Sequence, residues 1–392
     1  MKVIGLFAGI GGIEYGLHQN GVNTVKLCEI MPEAQNVIGK NFPNTKLLND
    51  VCQVKKLPKI NILTAGFPCQ NLSIAGDKSG LSGEKSALVY EIFRIIEASR
   101  FKPDYIIIEN VANIISLNKG EALALIVDKM NQYGYEWAYR LADPRSFGIP
   151  QRRPRFIFIA SKKVHPKYIL FPQNENVNVA IDDKPNVDGT NLADSYGFYW
   201  TEGKIGIGWA KDSIPPLKCG STLGLPSAPA IWDVQHNFFG TPSIEDAERL
   251  QGFPEGWTEY TTDEFKENSR WKLIGNAVNT RVSNWVAHRI MNHQIYNIPD
   301  ERIIPCPKSK WAKAAYSDNG KAKGILASYY PEGISYTPIL DFLNHPLVPL
   351  SLKATLGFYS RVCASTLIKY PEAFKDSIRT YLQNQYNYDY QA

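Results

Sequence analysis

Short apolar segments alternate with amphipathic segments along the first 160 residues of the chain. The continuous apolar segments predict buried strands, and apolar residues recurring every three or four positions predict helices. The predicted strands are 2–7, 24–29, 46–48, 60–65, 105–109, 136–141 and 155–160. The predicted helices are 11–19, 32–40, 84–99 and 121–133. Such alternation is typical of an α/β fold, and we expect a Rossmann-like, mostly parallel sheet with helices on both faces.

The hydrophobic pattern changes near residue 161. Residues 161–240 are rich in Asn, Asp, Gly and Pro, which predicts a small, loop-rich second domain after a first domain of residues 1–160. Helical spacing returns in residues 241–298, and it also predicts that residues 299–392 form a helical C-terminal appendage of unknown role. The helices expected in these two segments are 244–250, 280–291, 351–368 and 372–383.

Composition places the chain among ordinary globular proteins. A length of 392 residues, 44% hydrophobic and 21% charged, predicts two or three domains. A formal net charge of +5 fits a nucleic-acid surface without requiring one. The six cysteines are scattered without a C-x-x-C pair, so we expect no metal site, no disulfides and a reducing cytoplasm. The sequence shows no signal-peptide pattern, and none of its apolar runs approaches the roughly 18–20 residues that span a bilayer. We therefore expect no membrane partner.

A glycine-rich turn follows the first predicted strand. Gly9-Ile10-Gly11-Gly12 ends a strand and opens a helix, where backbone amides can approach a ligand closely. A purely structural turn would have the same composition. Position 14 is Glu14, whereas the dinucleotide fingerprint G-x-G-x-x-G requires glycine there. A nicotinamide or flavin site is therefore disfavoured.

Two carboxylates follow the next two predicted strands. Glu29 ends the second strand, where a carboxylate can accept hydrogen bonds from both hydroxyls of a ribose. Asp50 follows the third strand, where a carboxylate can accept from an adenine amino group. Each residue alone also fits a surface acid. Together they predict a nucleoside pocket along the strand ends.

A cysteine follows the strand predicted at 60–65. Gly66-Phe67-Pro68 indicates the exit turn of that strand, and Cys69 comes directly after it. Ligand sites of α/β sheets lie at the carboxyl ends of strands, so Cys69 is a candidate nucleophile. A buried, unreactive thiol is the alternative interpretation of this residue taken alone.

Six motifs of this chain, in order, resemble those of the cytosine-5 DNA methyltransferases of bacterial or phage restriction-modification type. They are Phe7-Ala8-Gly9-Ile10-Gly11-Gly12, Pro68-Cys69-Gln70, Glu109-Asn110-Val111, Gln151-Arg152-Arg153-Pro154-Arg155, Arg249-Leu250-Gln251-Gly252-Phe253-Pro254 and Gly275-Asn276-Ala277-Val278. The resemblance covers residues 1 to about 290 and leaves the last hundred residues unmatched.

The resemblance implies that S-adenosyl-L-methionine is the methyl donor and S-adenosyl-L-homocysteine the product. It implies a catalytic, donor-binding domain in 1–160, a target-recognition domain in 161–240 and a return segment in 241–298 that completes the catalytic domain. The residues implied in donor binding are Phe7, Gly9, Ile10, Gly11, Gly12, Glu29, Ile30, Asp50, Val51, Pro68, Leu88, Asn276 and Val278. One position departs from the family pattern: Gly5 stands where the family usually has Asp, and we expect a weakened contact near the methionine end of the pocket.

The resemblance also implies roles for four residues in catalysis. Cys69 would add to carbon 6 of cytosine, and Glu109 would hold ring nitrogen 3 provided that burial keeps its carboxyl protonated. Arg153 and Arg155 alternate along a predicted strand, so we expect both on one face, binding the exocyclic oxygen of the base. Taken alone, Glu109 also fits a helix-capping partner, and the two arginines also fit a solvated basic stripe.

Double-stranded DNA is the partner that the resemblance implies. The target cytosine must leave the duplex, and the Gly/Ser-rich loop at 71–83 is expected to close over it. Residues 249–254 are expected to support the recognition domain structurally. The candidate phosphate contacts of that domain are Lys204, Lys211 and Lys218.

We further expect a monomer in the cytoplasm, associated with the nucleoid, with a cognate restriction endonuclease as a functional partner. Two alternatives remain open. A tRNA cytosine-5 methyltransferase would share these motifs but carries Cys-Phe-Thr in its recognition region, where this chain has Cys219-Gly220-Ser221. A catalytically inactive DNA-binding relative would have no chemical need for Cys69 and Glu109 together.

Overall fold

The computed structural model describes residues 1–68, 88–186, 188–220, 228–266 and 268–390. Cys69 and the predicted loop at 71–83 lie outside the described residues. The chain divides into two compact units. The first comprises Met1–Phe147, Pro154–Val179 and Val278–Ile334, and the second comprises Gly148–Arg153, Ala180–Ala277 and Ser335–Ala392.

The strands and helices are numbered here in chain order. The strands are β1 Lys2–Leu6, β2 Asn23–Cys28, β3 Lys46–Leu48, β4 Ile62–Ala65, β5 Tyr105–Val111, β6 Glu136–Ala142, β7 Arg155–Ser161, β8 Ser195–Phe198, β9 Ala210–Lys211, β10 Ala230–Asp233, β11 Phe238–Thr241, β12 Ile303–Ile304, β13 Ala315–Asp318, β14 Lys321–Ile325 and β15 Val348–Pro349. The helices are α1 Gly12–His18, α2 Pro32–Asn41, α3 Leu88–Ala98, α4 Glu121–Gln132, α5 Lys167–Leu170, α6 Ile244–Leu250, α7 Ser269–Asn276, α8 Thr280–Met291, α9 Ile339–Phe342, α10 Leu352–Cys363 and α11 Glu372–Tyr386.

The first unit is built on one mixed sheet with the strand order β12-β14-β13-β6-β7-β5-β4-β1-β2-β3. The strands β3, β2, β1, β4 and β5 are parallel to their neighbours. Beyond β5 the pairings are antiparallel, because β7 inserts between β5 and β6. The predicted α/β class is confirmed, but the sheet is not mostly parallel, since four of its pairings are parallel and five are antiparallel. Its parallel part has the buried, near-continuous apolar strands expected of a sheet covered on both faces.

Helices cover both faces of this sheet. Alternate strand residues point to opposite faces, so neighbouring residues of one strand enter different cores. On one face, Leu63 and Ile106 pack in a core cluster with residues of α3 and α4. On the other, Ile62 and Ile107 share a cluster with residues of α1, α5 and α8. The return of the chain through α8 therefore completes the first unit.

The predicted helical appendage at 299–392 is wrong for its first third. Strands β12, β13 and β14 extend the sheet of the first unit, with Ala315 of β13 opposite Tyr139 of β6. These strands have two to five residues, too short for an apolar period to distinguish them from loops.

Residues 335–392 belong to the second unit, where α10 and α11 lie close to the predicted helix positions. The boundaries expected at 160, 240 and 298 also differ from those of the two units, because 154–179 joins the first unit and 241–277 the second.

The second unit has its own antiparallel sheet, in the order β15-β11-β10-β8-β9. Phe198 of β8 and Phe239 of β11 pack against Phe358 of α10 and Phe374 of α11 in one aromatic core. The unit is thus a packed sheet-and-helix domain, and α10 and α11 supply seven of the sixteen buried residues of this aromatic cluster. Over the described part of the chain, none of the helices combines the length and the apolar content that crossing a bilayer requires.

Candidate active site

The glycine-rich turn connects β1 to α1 through left-handed backbone conformations. Phe7, Gly9 and Gly11 have φ angles of 55°, 56° and 82°, respectively. A side chain at Gly11 would be strained and would also collide with Phe42, whose ring lies 2.4 Å from an added Cβ atom. Glycine at position 11 therefore lets the chain turn into α1 beside the Phe42 ring, and the N–H of Gly11 donates to the carbonyl oxygen of Ala8 at 2.8 Å within the turn.

Glu29 organises the loop beside this turn. Its Oε2 atom accepts a hydrogen bond from the backbone N–H of Gly9 at 2.8 Å. Its Oε1 atom accepts from the backbone N–H groups of Ile30 and Met31, both at 2.9 Å. A carboxylate has about four acceptor sites, so Glu29 has capacity for a further donor while it fixes the turn.

The remaining predicted donor-binding residues of this unit lie near the ends of the parallel strands. Asp50 caps a short 3-10 turn, and its Oδ1 atom accepts from the backbone N–H of Cys52 at 2.8 Å. Val51 is buried in the core, and Leu88 begins α3. Ile30 is 69% exposed, which leaves an apolar surface available next to Glu29. An apolar face and a carboxylate side by side suit a nucleoside.

Asn110 ties the end of β5 to the segment that leads to Cys69. Its Nδ2 atom donates to the carbonyl oxygen of Phe67 at 3.0 Å, and its Oδ1 atom accepts from the backbone N–H of Val111. The side chain is buried, and Pro68 follows Phe67 as the last described residue of the segment. Asn110 lies in the Glu109-Asn110-Val111 motif, but no local pattern in the sequence predicts this contact with Phe67.

Glu109 projects from β5 next to the exit of β4. Arg155, the first residue of β7, places its Nε atom 3.3 Å from Glu109 Oε1. The other carboxyl oxygen, Oε2, would lie 3.9 Å from a Cβ atom added at Gly66. A narrow pocket beside the carboxyl is lined mainly by apolar residues, including Ile13, Ile157 and Val278. The Glu109 carboxyl thus lies between the Arg155 guanidinium and the backbone at the exit of β4.

Arg153 does not accompany Arg155, and the predicted alternation of the two along one strand is wrong. Strand β7 begins at Arg155, after Pro154, which lacks the N–H that a ladder requires. Arg153 belongs to the second unit, where its buried guanidinium donates to three carbonyl oxygens. These belong to Leu217 at 2.7 Å, Gly275 at 2.8 Å and Ala277 at 3.1 Å. Arg153 thus braces the second unit internally.

The Gly275–Val278 motif is divided between the two units. Asn276 is the exposed last residue of α7 in the second unit, whereas Val278 lines the pocket beside Glu109 in the first. Gln251 Nε2 donates to the carbonyl oxygen of Ile274 at 2.9 Å, and Gln151 Nε2 donates to that of Leu250. The motif at 249–254 therefore has contacts that stabilise the second unit, in line with its expected structural role.

Glu14, the residue that breaks the dinucleotide fingerprint, is a buried acid in α1. Its Oε1 atom forms a short hydrogen bond with the hydroxyl of Thr64 on β4. Burial raises the pKa of Glu14 to about 7, although the Thr64 hydrogen bond opposes this shift. The available signal was a charged residue on the apolar face that Ile10, Ile13 and Leu17 form at helical spacing.

Comparisons with known proteins decide the family. A family model described as C-5 cytosine-specific DNA methylase matches residues 1–196. The Type II methyltransferase M2.BsuMI of Bacillus subtilis (strain 168) is 43% identical over 386 residues, which cover 96% of this chain and 97% of that protein. The chain belongs to the C-5 cytosine-specific DNA methylases. It is a DNA cytosine methyltransferase, as the motifs predicted.

More distant relatives of this methylase agree. The Type II methyltransferase M.SsoII of Shigella sonnei is 29% identical over 74% of this chain and 80% of that protein. The crystal structure of S. pombe Dnmt2 methyltransferase superposes with a TM-score of 0.52 at 17% identity, covering 74% of this chain and 98% of that chain. At that identity the match shows a shared fold.

Gly5, where the motif resemblance implies Asp, lies against the side chain of Glu14. A Cβ atom added at Gly5 would lie 2.3 Å from Glu14 Oε1 and 2.9 Å from a methyl group of Leu27. The carboxyl of Glu14, delivered from α1, thus occupies the space where a side chain on β1 would begin. The two positions share space, so a side chain at position 5 requires the buried carboxyl of Glu14 and the side chain of Leu27 to move.

Proposed function

We propose that this methylase transfers a methyl group from S-adenosyl-L-methionine to carbon 5 of a flipped-out cytosine in a specific duplex DNA sequence, through a covalent adduct of Cys69 at carbon 6. The observation that carries the proposal is the position of Glu109. Its carboxyl lies against Gly66, three residues before Cys69, with Arg155 on its other oxygen. A nucleophile and an acid that reach the same base from neighbouring strand ends are what the reaction needs.

Nucleophilic addition activates the ring. The thiolate of Cys69 forms a bond to carbon 6, and the ring electrons move toward nitrogen 3, which takes a proton from Glu109. Because Arg155 favours the ionised carboxylate, Glu109 must take up this proton before the step, when the base covers it and excludes water. Carbon 5 then becomes nucleophilic enough to take a methyl group. Arg155 orients the Glu109 carboxyl and can donate to the exocyclic oxygen of the base.

Elimination restores the ring and the enzyme. A base, which can be a water molecule near the site, removes the proton from carbon 5. The electron pair left behind re-forms the double bond between carbons 5 and 6 as the carbon–sulfur bond breaks. The proton on nitrogen 3 returns to Glu109, and the thiolate is regenerated. Every proton and electron pair is accounted for without a redox partner.

The residues around the glycine-rich turn fit S-adenosyl-L-methionine. Glu29 would hold the ribose hydroxyls, Asp50 the adenine amino group and Ile30 one face of the adenine ring. Gly9 and Gly11 would bring the backbone close to the methionine end. When bound, this co-substrate supplies an electrophilic methyl group on a sulfonium. The anchored carboxyl of Glu29 and the exposed side chain of Ile30 support this assignment.

Base flipping is part of the proposal because carbon 6 of a stacked cytosine is not accessible to a side chain. A specific sequence would be selected by the second unit, which has a packed core of its own. The Type II names of the relatives support a cognate restriction endonuclease as a functional partner of a monomeric enzyme.

The experiment measures tritium transfer from labelled S-adenosyl-L-methionine to mixed-sequence duplex DNA and, separately, to tRNA. We expect incorporation into DNA, loss of it in Cys69→Ser, and a decrease of about 10²- to 10⁴-fold in Glu109→Gln. Exposed Glu121→Gln on α4 is the matched control and should retain full activity. Incorporation into tRNA alone, or DNA binding without any product, would overturn the proposal.

A further inference from the structure

Two loops of the second unit, far apart in sequence, are fastened to each other. One loop spans residues 202–206 and the other spans residues 364–370, between α10 and α11. The hydroxyl of Ser365 donates to the carbonyl oxygen of Lys204 at 2.9 Å, and that of Tyr370 donates to the carbonyl oxygen of Gly203 at 2.5 Å. We call the surface that they form the two-loop surface.

Arg361, near the end of α10, also binds the backbone beside the first loop. Its Nη2 atom donates to the carbonyl oxygen of Trp200 at 2.8 Å, and its Nε atom donates to that of Glu202 at 3.1 Å. Gly203 lies so close that an added Cβ atom would be 2.8 Å from Arg361 Cβ. The backbones of the two loops are therefore held in one arrangement, and their tips form one surface.

The side chains at these tips are apolar and exposed. Ile205 is 77% exposed, Leu367 is 73% exposed and Ile368 is 37% exposed. Lys204 and Lys369 stand beside them and are also exposed. The neighbouring acid, Glu202, is paired with Lys218, whose Nζ atom lies 2.5 Å from Glu202 Oε1. The two-loop surface thus combines exposed aliphatic groups with an excess of positive charge.

We propose that the two-loop surface contacts the duplex DNA substrate, with Lys204 and Lys369 on phosphates and Ile205 and Leu367 against apolar base edges such as thymine methyl groups. Cations beside exposed aliphatic side chains suit a groove edge, where phosphates border the bases. An apolar protein partner would offer no negative charge to pair with the two lysines.

The consequence concerns the C-terminal segment. Residues 335–392 lie outside the part of the chain matched by the family model, which ends at residue 196. Because the 364–370 loop shares the surface with 202–206, this segment becomes part of target recognition as well as part of the core. The proposal depends on DNA as substrate and not on the covalent chemistry of Cys69.

The test measures the affinity of the full chain for two 30-base-pair duplexes, one with the site mapped by bisulfite sequencing and one scrambled. All variants carry Cys69→Ser, so that binding is read without covalent chemistry. Combined Lys204→Ala and Lys369→Ala should weaken binding to both duplexes and reduce the slope of log Kd against log salt by about 1.8. Combined Ile205→Ser and Leu367→Ser should lower the ratio of mapped to scrambled affinity by about tenfold.

Matched controls lie in the same unit. Lys353→Ala changes an exposed lysine at the start of α10, about 15 Å along the helix from the loop, and Val348→Ser changes an apolar residue of β15 that is 53% exposed. Both should leave the salt slope and the affinity ratio unchanged. An unchanged slope and ratio in the loop variants would overturn the proposal. Conversion of a dimer to a monomer by Leu367→Ser at constant DNA affinity would also overturn it, because the surface would then bind a second copy.

Discussion

The side-chain amide of Asn110 donates a hydrogen bond to the carbonyl oxygen of Phe67 over 3.0 Å. Asn110 is adjacent to Glu109 on β5, and Phe67 precedes Cys69 by two residues. The strand that carries Glu109 therefore fixes the segment that leads to Cys69. Under the proposed mechanism, this contact would position the nucleophile and the acid relative to each other.

Asn110→Ala should disturb the position of the segment before Cys69 without weakening the binding of S-adenosyl-L-methionine. The change leaves the carbonyl oxygen of Phe67 and the N–H of Val111 without the Asn110 side chain, which should cost about 1–3 kcal/mol of stability. We expect kcat to fall by about 10- to 100-fold while KM for S-adenosyl-L-methionine stays constant. Steady-state kinetics below the melting temperature measure both. Asn113→Ala, an exposed change three residues later, is the control, and a similar kcat loss in both variants would argue against positioning.

Gly5→Asp should be tolerated only when Glu14 is shortened. The family's usual aspartate would place its Cβ atom 2.3 Å from Glu14 Oε1, so the single substitution should destabilise the first unit by more than about 2 kcal/mol. Adding Glu14→Ala should recover at least half of that loss. Urea unfolding of the four variants of this double-mutant cycle gives the coupling energy. Strictly additive effects would show that the two positions do not share space.

Stability should depend on pH through Glu14. Burial raises its pKa from 4.5 to about 7, so the folded chain holds a proton that the unfolded chain releases. The stability that this proton contributes is complete below about pH 4.5 and is lost as pH rises through 7. Relative to wild type, Glu14→Gln should therefore gain about 2–3 kcal/mol between pH 5 and pH 8. Urea midpoints at both pH values measure this, and a constant difference would contradict the assignment.

Glu175 should be essential to the first unit. Its side chain is fully buried and accepts from Arg140 at 2.7 Å and from Arg302 at 3.0 Å, so it joins β6 to the segment that carries β12. Glu175→Ala leaves two guanidinium groups without this carboxylate and should cost about 3–5 kcal/mol.

The control for Glu175 is an exposed ion pair that also reaches the segment after residue 299. Asp128 of α4 pairs with Lys308 at 2.7 Å, and both side chains are about half exposed. Asp128→Ala should change stability by no more than about 1 kcal/mol. Thermal unfolding measures the stability of both variants. Equal losses of stability would mean that the buried ion pairs of Glu175 contribute no more to the free energy of unfolding than the exposed pair does.

Several elements could be predicted because their signals are local. Predicted strands 60–65, 105–109 and 155–160 correspond to β4, β5 and β7, and predicted helix 280–291 coincides with α8. In each case apolar residues at one regular spacing report which face is buried. Glu109 was singled out by the Glu109-Asn110-Val111 motif, since a carboxyl at the end of an apolar strand, taken alone, also fits a helix-capping partner.

Other features depend on residues that are distant in sequence. Arg153 lies two positions before Arg155, yet its hydrogen bonds go to carbonyl groups more than 60 residues away. Strands β12 to β14 have too few residues to show a period, and they are defined by pairing with one another and, through β13, with β6. A local pattern contains no information about such partners.

By itself, then, the sequence determined the α/β class, the methylase family and the candidate chemistry, because the periods and motifs that carry them are encoded within short segments. Only the tertiary structure decided that Asn110 holds Phe67, that Glu14 occupies the space beside Gly5 and that the C-terminal helices complete the second unit. These relationships come from packing between segments brought together by folding. The partner of a side chain depends on which segments pack together in the folded chain. A short stretch of sequence contains only one of those segments.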